Sequence, residues 1–189
     1  MQTNRLFVLG PPASGKSRAI SAVRASVLVK RPDCLFLSIE DAHRALCPPD
    51  QVSSEYYYDN AGALTLLKPE EQINAALGYL RDALATDRFV ICEISTRSFS
   101  AFCSFFADYL IQGSVMLWLH AATDERVHRN FARGQLKVPD HIVRDFQLLP
   151  TESELAEAGI NGAHCETLEM FGNEASALSN FASRVMSFR

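Results

Sequence analysis

The chain has 189 residues, of which 48% are hydrophobic and 21% charged, and its formal net charge is −4. These values fit one globular domain with a sizeable core and exclude disordered and fibrous chains. No apolar run approaches the ~20 residues that a membrane-spanning helix needs. The cysteines include no C-x-x-C pair and the histidines show no metal-ligand spacing, so we expect neither a disulfide scaffold nor a zinc site.

The first apolar run, Leu6–Leu9, predicts a short buried strand, and Ile20, Val23 and Val27 follow it at helical spacing. Between the strand and the helix, Gly10–Ser17 matches the P-loop pattern G-x-x-x-x-G-K-[ST] at every fixed position. In a P-loop, backbone N–H groups and a helix N-terminus point at the phosphates of ATP. The lysine reaches the β- and γ-phosphates, and the hydroxyl ligates Mg²⁺.

The residues of this loop that are predicted to bind ATP are Gly10, Ala13, Ser14, Gly15, Lys16 and Ser17. Pro11 and Pro12 have no N–H, so the amides from Ala13 onward must form the anion-binding nest. Lys16 is expected to be catalytic and to lie on an exposed loop, and Ser17 is expected to be the metal ligand. An ordinary turn that opens a helix would need neither the lysine and hydroxyl pair nor the apolar strand before it.

A second apolar strand is predicted over Cys34–Ile39, ending at Glu40 and Asp41. We expect this strand to lie next to the P-loop strand, so that Asp41 faces the γ-phosphate as the candidate catalytic base. Glu40 is its rival, because neighbouring residues on a strand point to opposite faces. The alternative for Asp41 is an N-cap of a short helix that begins at Ala42.

Residues 42–68 are predicted to form an insertion that covers the substrate, with a tyrosine-bearing segment, Glu55–Asn60, that either stacks on the acceptor or packs internally. After the next helix, the strand Arg88–Cys92 delivers Glu93 at its end. A carboxylate there is costly unless it meets Mg²⁺, a substrate hydroxyl or Arg97. A plain ion pair between Glu93 and Arg97 is the alternative to a role in the site.

Further along, Ser98–Gln112 predicts a helix and Ser114–Leu119 a fourth strand. Strands and helices that alternate in this way indicate parallel strands joined by right-handed crossovers. A final strand within His164–Met170 is expected beside the first strand. We therefore predict one domain over residues 1–189, with a doubly wound, mostly parallel five-stranded α/β sheet, P-loop kinase topology and a helical lid. A capping box is predicted at Thr151–Glu154.

The predicted lid spans residues 123–149, and its first helix would be capped by Thr123. Arg126, Arg129 and Arg133 recur at helical spacing and are predicted to form one face that overhangs the P-loop. Phosphoryl transfer requires positive charge over the transferring group, which these arginines are placed to supply. A solvated helix face is the alternative.

Three motifs resemble those of zeta-toxin kinases and polynucleotide 5′-hydroxyl kinases. Asp41–Arg44 is similar to their D-x-x-[RK], and Pro48 falls where zeta toxins often have proline. Glu93–Arg97 resembles the zeta-toxin segment E-G-T-G-R, with the acid, a hydroxyl and the arginine in register. Arg129–Gly134, followed by Val138-Pro139, resembles the R-N-x-x-R-G…V-P lid of the polynucleotide-kinase-like branch.

The resemblance implies a kinase that uses ATP and Mg²⁺. Lys16 would bind the phosphates of ATP and Ser17 would ligate Mg²⁺. Asp41 would be the base, and Arg129 or Arg133 would be the catalytic lid arginine. The substrate-binding residues that it implies are Arg44, Glu93, Ser95 and Arg97. Ile94 stands where zeta toxins have a glycine, so the backbone is not expected to approach the substrate as closely as theirs does.

The charge pattern favours a small-molecule hydroxyl acceptor, either a sugar-containing compound or a nucleotide sugar. The lid has nearly balanced charges and offers little to a chain of phosphates, although residues 1–31 contain basic residues and no acidic one. One alternative is a nucleic-acid hydroxyl kinase. The other is a nucleotide-gated ATPase switch that phosphorylates no acceptor. We expect a cytoplasmic protein with no membrane partner, and the oligomeric state stays open.

Overall fold

The computed structural model describes residues 4–47, 56–58, 64–66, 69–96, 98–106, 114–132, 140–146, 149–160, 165–170 and 174–187. The strands are β1 Arg5–Gly10, β2 Leu35–Ser38, β3 Tyr56–Tyr58, β4 Leu64–Leu66, β5 Val90–Ser95, β6 Ser114–His120 and β7 Cys165–Glu169. The helices are α1 Lys16–Lys30, α2 Ile39–Leu46, α3 Pro69–Ala83, α4 Phe99–Phe105, α5 Thr123–Ala132, α6 Asp140–Asp145, α7 Glu152–Glu157 and α8 Glu174–Ser187.

The main sheet has five parallel strands in the order β2-β5-β1-β6-β7, and β3 pairs with β4 in a separate antiparallel hairpin. The predicted five-stranded, doubly wound sheet is therefore confirmed. Two predicted neighbours were wrong, because β2 pairs with β5 and β7 pairs with β6, whereas both had been placed beside β1. The reason is burial: β5 and β6 are almost entirely buried, as central strands must be, whereas every residue of β2 is only half-buried.

Alternate residues of β1 enter two separate cores, one on each face of the sheet. Phe7 packs against α4, where its ring meets Phe102 edge-on at 5.1 Å between centroids. Val8 lies on the opposite face, in a core shared with Val23 of α1 and Phe181 of α8. Because helices cover both faces, the side chains that do chemistry must lie at the edges of the sheet, and the P-loop leaves β1 at the carboxyl edge.

Serine and threonine caps set where several helices begin. Helix α2 begins at Ile39, earlier than predicted, because the Ser38 hydroxyl accepts a hydrogen bond from the Asp41 amide at 3.0 Å. The predicted capping box at Thr151 is confirmed, since the Thr151 hydroxyl accepts from the Glu154 amide at 3.2 Å and the Glu154 carboxylate accepts from the Thr151 amide at 2.8 Å.

Arg126 joins α5 to α6. Its side chain is 1% exposed and donates to the carbonyls of Val143 at 2.7 Å and Ala121 at 3.2 Å, and to the Thr123 hydroxyl at 3.1 Å. Burial lowers its pKa from the ordinary value. The predicted arginine face of α5 is therefore wrong at Arg126, which is part of the protein interior.

The two predicted covering segments are described only in part. Of residues 42–68, the structure describes the remainder of α2 and the β3–β4 hairpin, whereas Pro48 lies outside the described residues. Of residues 123–149, it describes α5 and α6, whereas the segment 133–139 lies outside. The predicted helix over Ser98–Gln112 is described as far as Phe105. No helix in the described part of the chain combines the length and apolar character needed to cross a bilayer.

Gly10→Ala should destabilise the fold by about 2 to 4 kcal/mol in urea unfolding. Gly10 has a φ of 136°, and a Cβ there would lie 2.0 Å from the Leu119 carbonyl oxygen on β6. Gly78→Ala is the control, because no atom lies within 4 Å of its Cβ position, and removing a helical glycine should stabilise by about 0.5 to 1 kcal/mol. Equal stability of the two variants would mean that β1 and β6 separate without cost.

Arg126→Met should lower the free energy of unfolding by about 2 kcal/mol or more, because it leaves buried carbonyls without their charged donor while keeping most of the side-chain volume. The matched control is Arg144→Met. Arg144 is exposed and pairs with Asp124 at 3.3 Å, so its loss should change the stability by less than about 0.5 kcal/mol. Coincident thermal unfolding curves for the two variants would contradict an interior role for Arg126.

Candidate functional site

The backbone of the P-loop has positive φ values at three positions. Gly10 and Gly15 have φ values of 136° and 100°, and Ala13 has a φ of 59°, an uncommon value for a residue with a side chain. Gly15 is the N-cap of α1 and contributes no side-chain cap. The first amides of α1 therefore point out of the helix toward the loop, where an anion can accept from them. This geometry fits the triphosphate of a nucleotide.

Lys16 is buried, with 3% of its surface exposed, so the predicted exposed position was wrong. Its ammonium group donates to the carbonyls of Gly10 at 3.0 Å and Pro11 at 2.8 Å, and lies 3.5 Å from the Ser14 hydroxyl. These acceptors belong to the P-loop itself, so the positive charge is held inside the loop. A phosphate bound by the loop would therefore lie beside this charge.

Ser17 and Glu93 form the polar contact between the P-loop helix and β5. The Ser17 hydroxyl donates to Glu93 Oε1 at 2.7 Å. On the sheet, Glu93 has Val8 of β1 and Ser38 of β2 as its register partners. Glu93 therefore lies between the P-loop strand and the strand that leads to Asp41.

A hydroxyl and a carboxylate in this arrangement fit Mg²⁺, which prefers oxygen ligands and is held in P-loop enzymes by a loop serine or threonine and a strand-end acid. Within the described residues, no group of three or more histidine, cysteine, aspartate or glutamate side chains is arranged to hold a metal ion. A magnesium ion at Ser17 and Glu93 would thus complete its coordination with phosphate oxygens and water.

Asp41 lies in the first turn of α2, whereas the end of a strand had been predicted. Its carboxylate oxygen Oδ2 accepts from the Ser38 hydroxyl at 2.7 Å, so one serine both caps the helix and orients the acid. Ser38, and not Asp41, is the helix N-cap. Asp41, Ser17 and Glu93 line the same open pocket of about 150 Å³ at the carboxyl edge of the sheet.

Glu40, the rival of Asp41, does not line this pocket. Its carboxylate instead accepts from Arg44 at 3.0 Å, an ion pair one helical turn apart. Arg44, predicted to bind substrate, is therefore held by Glu40 on the flank of α2. His43, the residue before Arg44, is buried. Burial lowers its pKa to about 4, so the imidazole is neutral at pH 7.

Arg129 is the predicted lid arginine that the structure brings to the P-loop. It pairs with Glu125 at 2.8 Å and donates to the Met170 carbonyl at 3.1 Å. A Cβ atom on Gly15 would lie 3.7 Å from an Arg129 terminal nitrogen, so the guanidinium borders the loop. Arg133 lies outside the described residues.

Of the two remaining predicted substrate-binding residues, Ser95 and Arg97, the structure describes only Ser95. Ser95 is a register partner of Gly10 and lies beside the P-loop, outside the pocket lining. Arg97 lies outside the described residues, so the predicted ion pair between Glu93 and Arg97 stays a prediction.

Sequence reasoning predicted Ser17, Asp41 and Glu93 but missed the other residues that line the pocket, among them Arg24, Phe36 and Ser38. Ser38 carried a readable signal, because a serine three residues before an acid is typical of a helix N-terminus. Arg24 lies two helical turns beyond Ser17 on α1, a spacing that places both residues on one helix face. Phe36 carried no signal, since its position depends on which face of β2 packs against α1.

No family model and no curated protein matches the chain. Solved structures match its fold over nearly the whole length. Shikimate kinase from Acinetobacter baumannii in complex with shikimate matches with a TM-score of 0.60 at 14% identity, covering 97% of this chain and 93% of that chain. A sugar kinase from Janibacter sp. HTCC2649 matches with a TM-score of 0.54 at 14% identity, covering 98% and 94%. The tunicamycin resistance protein of Deinococcus radiodurans matches with a TM-score of 0.50 at 19% identity, covering 97% and 96%. The chain therefore has the P-loop kinase fold.

Proposed function

We propose that the protein is an ATP-dependent kinase that transfers the γ-phosphate to a hydroxyl of a sugar-containing small molecule or nucleotide sugar. The observation that carries the proposal is the shared pocket, which Ser17 and Glu93 line on the side of the P-loop and Asp41 lines on the side of β2. A kinase needs a bound phosphate and a base for the acceptor within one cavity. A switch that only hydrolyses ATP needs no such base.

In the proposed reaction, Asp41 accepts the proton of the acceptor hydroxyl. The acceptor oxygen forms a bond to the γ-phosphorus as the bond between that phosphorus and the bridging β,γ-oxygen breaks, and ADP leaves with the electron pair. The hydrogen bond from Ser38 at 2.7 Å holds one carboxylate oxygen of Asp41, which leaves the other to face the acceptor. Mg²⁺, when bound, would neutralise charge on the phosphate oxygens.

Positive charge over the phosphates is assigned to Lys16 inside the loop and to Arg129 beside it. Arg133 and the rest of residues 123–149 are proposed to complete the lid, and residues 42–68 to cover the acceptor. The finer assignment to the zeta-toxin and polynucleotide-kinase-like branch is likewise a proposal, which rests on the motifs around Asp41, Glu93 and Arg129.

The positions of the basic residues support a small acceptor. Arg5 donates to the carbonyls of Leu84 and Thr86, and Arg31 stacks on Phe89, so both lie near the amino ends of the strands. The P-loop is at the other edge of the sheet, so Arg5 and Arg31 form no groove that leads to Asp41. Arg24 does line the pocket of Asp41, but one arginine cannot neutralise a chain of phosphates. A single-stranded nucleic acid would need several phosphate contacts along such a groove. Two of the structural neighbours carry small-molecule kinase names.

The test is transfer of label from γ-labelled ATP to pooled sugars, nucleosides, nucleotide sugars and 5′-hydroxyl oligonucleotides. Asp41→Asn keeps the size of the side chain and its hydrogen bond with Ser38, and should lower kcat about 100-fold or more while ATP still binds. Glu40→Gln is the matched control and should stay close to the wild type. The assignment of the base is wrong if Glu40→Gln loses kcat instead. An oligonucleotide that outperforms every small acceptor would overturn the acceptor class, and label released only as free phosphate would favour a switch.

Glu93→Gln should weaken the contribution of Mg²⁺ to nucleotide binding about 10-fold or more. Glutamine can still accept from the Ser17 hydroxyl, so the change removes charge and preserves the contact at 2.7 Å. Calorimetric titration with ATP, at several Mg²⁺ concentrations and without Mg²⁺, separates the two effects. ATP alone should bind the variant at least as well as the wild type, since one negative charge has gone. An unchanged Mg²⁺ dependence would remove Glu93 from the metal site.

A further inference from the structure

The pocket is lined by side chains of both charges. Asp41 and Glu93 contribute two carboxylates, and Arg24 contributes a guanidinium. Ser17, Ser21 and Arg24 recur along one face of α1, which forms a wall of the pocket. Arg24 lies seven positions after Ser17 on the helix, which corresponds to about 10 Å along its axis. Because Ser17 contacts Glu93 at 2.7 Å, we infer that Arg24 lies about two helical turns away from the acidic part of the pocket. A ligand that contacts both Arg24 and the acidic part must therefore contain several carbon atoms.

Arg24 is held in place by an aromatic ring and not by an acid. Its guanidinium lies 4.5 Å from the centroid of the Phe36 ring, a cation–π contact that leaves the edge of the guanidinium open. Within the described residues its guanidinium makes no hydrogen bond and no ion pair, whereas Arg44, Arg129 and Arg184 each pair with a carboxylate. The planar donor set of Arg24 thus matches a carboxylate or phosphate of an incoming ligand.

We propose that Arg24 binds an anionic group of the acceptor and thereby selects which end of the acceptor reaches Asp41. This inference rests on the proposed kinase function and narrows its substrate class to hydroxyl compounds that carry a carboxylate or a phosphate. The carboxylates of Asp41 and Glu93 repel that anion, while Arg24 attracts it. The reversed orientation is therefore disfavoured at both ends, and the uncharged hydroxyl end faces the base.

The first experiment compares phosphorylation of four probes: glucose, glucuronate, glucose 6-phosphate and UDP-glucose. The inference expects at least one anionic probe to exceed glucose in kcat/KM. For that probe, Arg24→Gln should lower kcat/KM about 10-fold or more, mostly by raising KM, because a hydrogen bond to a charged group is lost. Arg24→Lys should recover part of the loss, since it keeps the charge without the planar fork. The KM for ATP should not change.

Arg31→Gln is the matched control. Arg31 also stacks on a phenylalanine, at 4.2 Å from the Phe89 centroid, but it does not line the pocket. Equal losses in Arg24→Gln and Arg31→Gln would indicate a general effect of charge or packing and would overturn the inference. Selective preference for glucuronate would identify the anion as a carboxylate, whereas preference for glucose 6-phosphate or UDP-glucose would identify a phosphate. Preference for glucose would refute an anion site.

A second measurement separates this inference from the proposed function. NMR line broadening of the same probes measures their binding to the wild type and to Arg24→Gln. This measurement needs no phosphoryl transfer. If the wild type transfers no phosphate but binds an anionic probe that Arg24→Gln does not, the kinase proposal fails and the anion site stands. If transfer occurs and Arg24→Gln binds and reacts like the wild type, the anion site fails alone. If no probe binds or reacts, both are rejected.

Discussion

The hydrogen bond from Ser17 to Glu93 can form only if β5 lies directly beside β1. On the other side of β5, the register pairs Glu93 with Ser38, the residue that caps α2 and holds Asp41. Adjacent strands are ~4.8 Å apart, so this order brings the P-loop and the candidate base to neighbouring positions at one edge of the sheet. With β2 beside β1, as the sequence had suggested, Glu93 would lie beyond Asp41 and could not contact the P-loop helix. The strand order therefore determines which acid meets Ser17 and, in the proposed reaction, which acid faces the acceptor.

The P-loop could be predicted from the sequence because its pattern is local and each fixed residue answers a physical requirement. Gly10 is needed because the Leu119 carbonyl leaves no room for a side chain, and Gly15 because its φ is positive. Strand order is a long-range property, and alternation of strands and helices along the chain does not determine it. The sequence did contain one hint. The central strands β5 and β6 are apolar along most of their length, whereas β2 offers only a short run, as suits an edge.

Asp41 was predicted to be in the site for a partly wrong reason. The run Cys34–Ile39 is apolar and short, and such a run fits a strand or the start of a helix equally well. The serine at position 38 ends the strand, since its hydroxyl satisfies the Asp41 amide and starts α2. The two acids therefore follow helical geometry, about 100° apart around the axis, and not the alternation of a strand. That difference directs Glu40 to Arg44 on the helix flank and leaves Asp41 at the pocket.

The arginines also show that spacing in the sequence does not determine where a charge lies in the structure. On α5, arginines three residues apart were expected to share a role, but the buried stripe of this helix runs through Arg126 and Asn130, so Arg126 serves the interior while Arg129 borders the P-loop. Among the basic residues of positions 1–31, Lys16 lies in the P-loop and Arg24 lines the pocket, whereas Arg5 and Arg31 lie at the opposite edge of the sheet. The net charge of −4 describes none of these positions. In the proposed reaction, the acceptor would experience the local field of a pocket lined by the acids Asp41 and Glu93 and by Arg24, whose guanidinium lies on the Phe36 ring. Since Arg24 lies two helical turns beyond Ser17, the residue that contacts Glu93, that field would favour one orientation of an anionic acceptor.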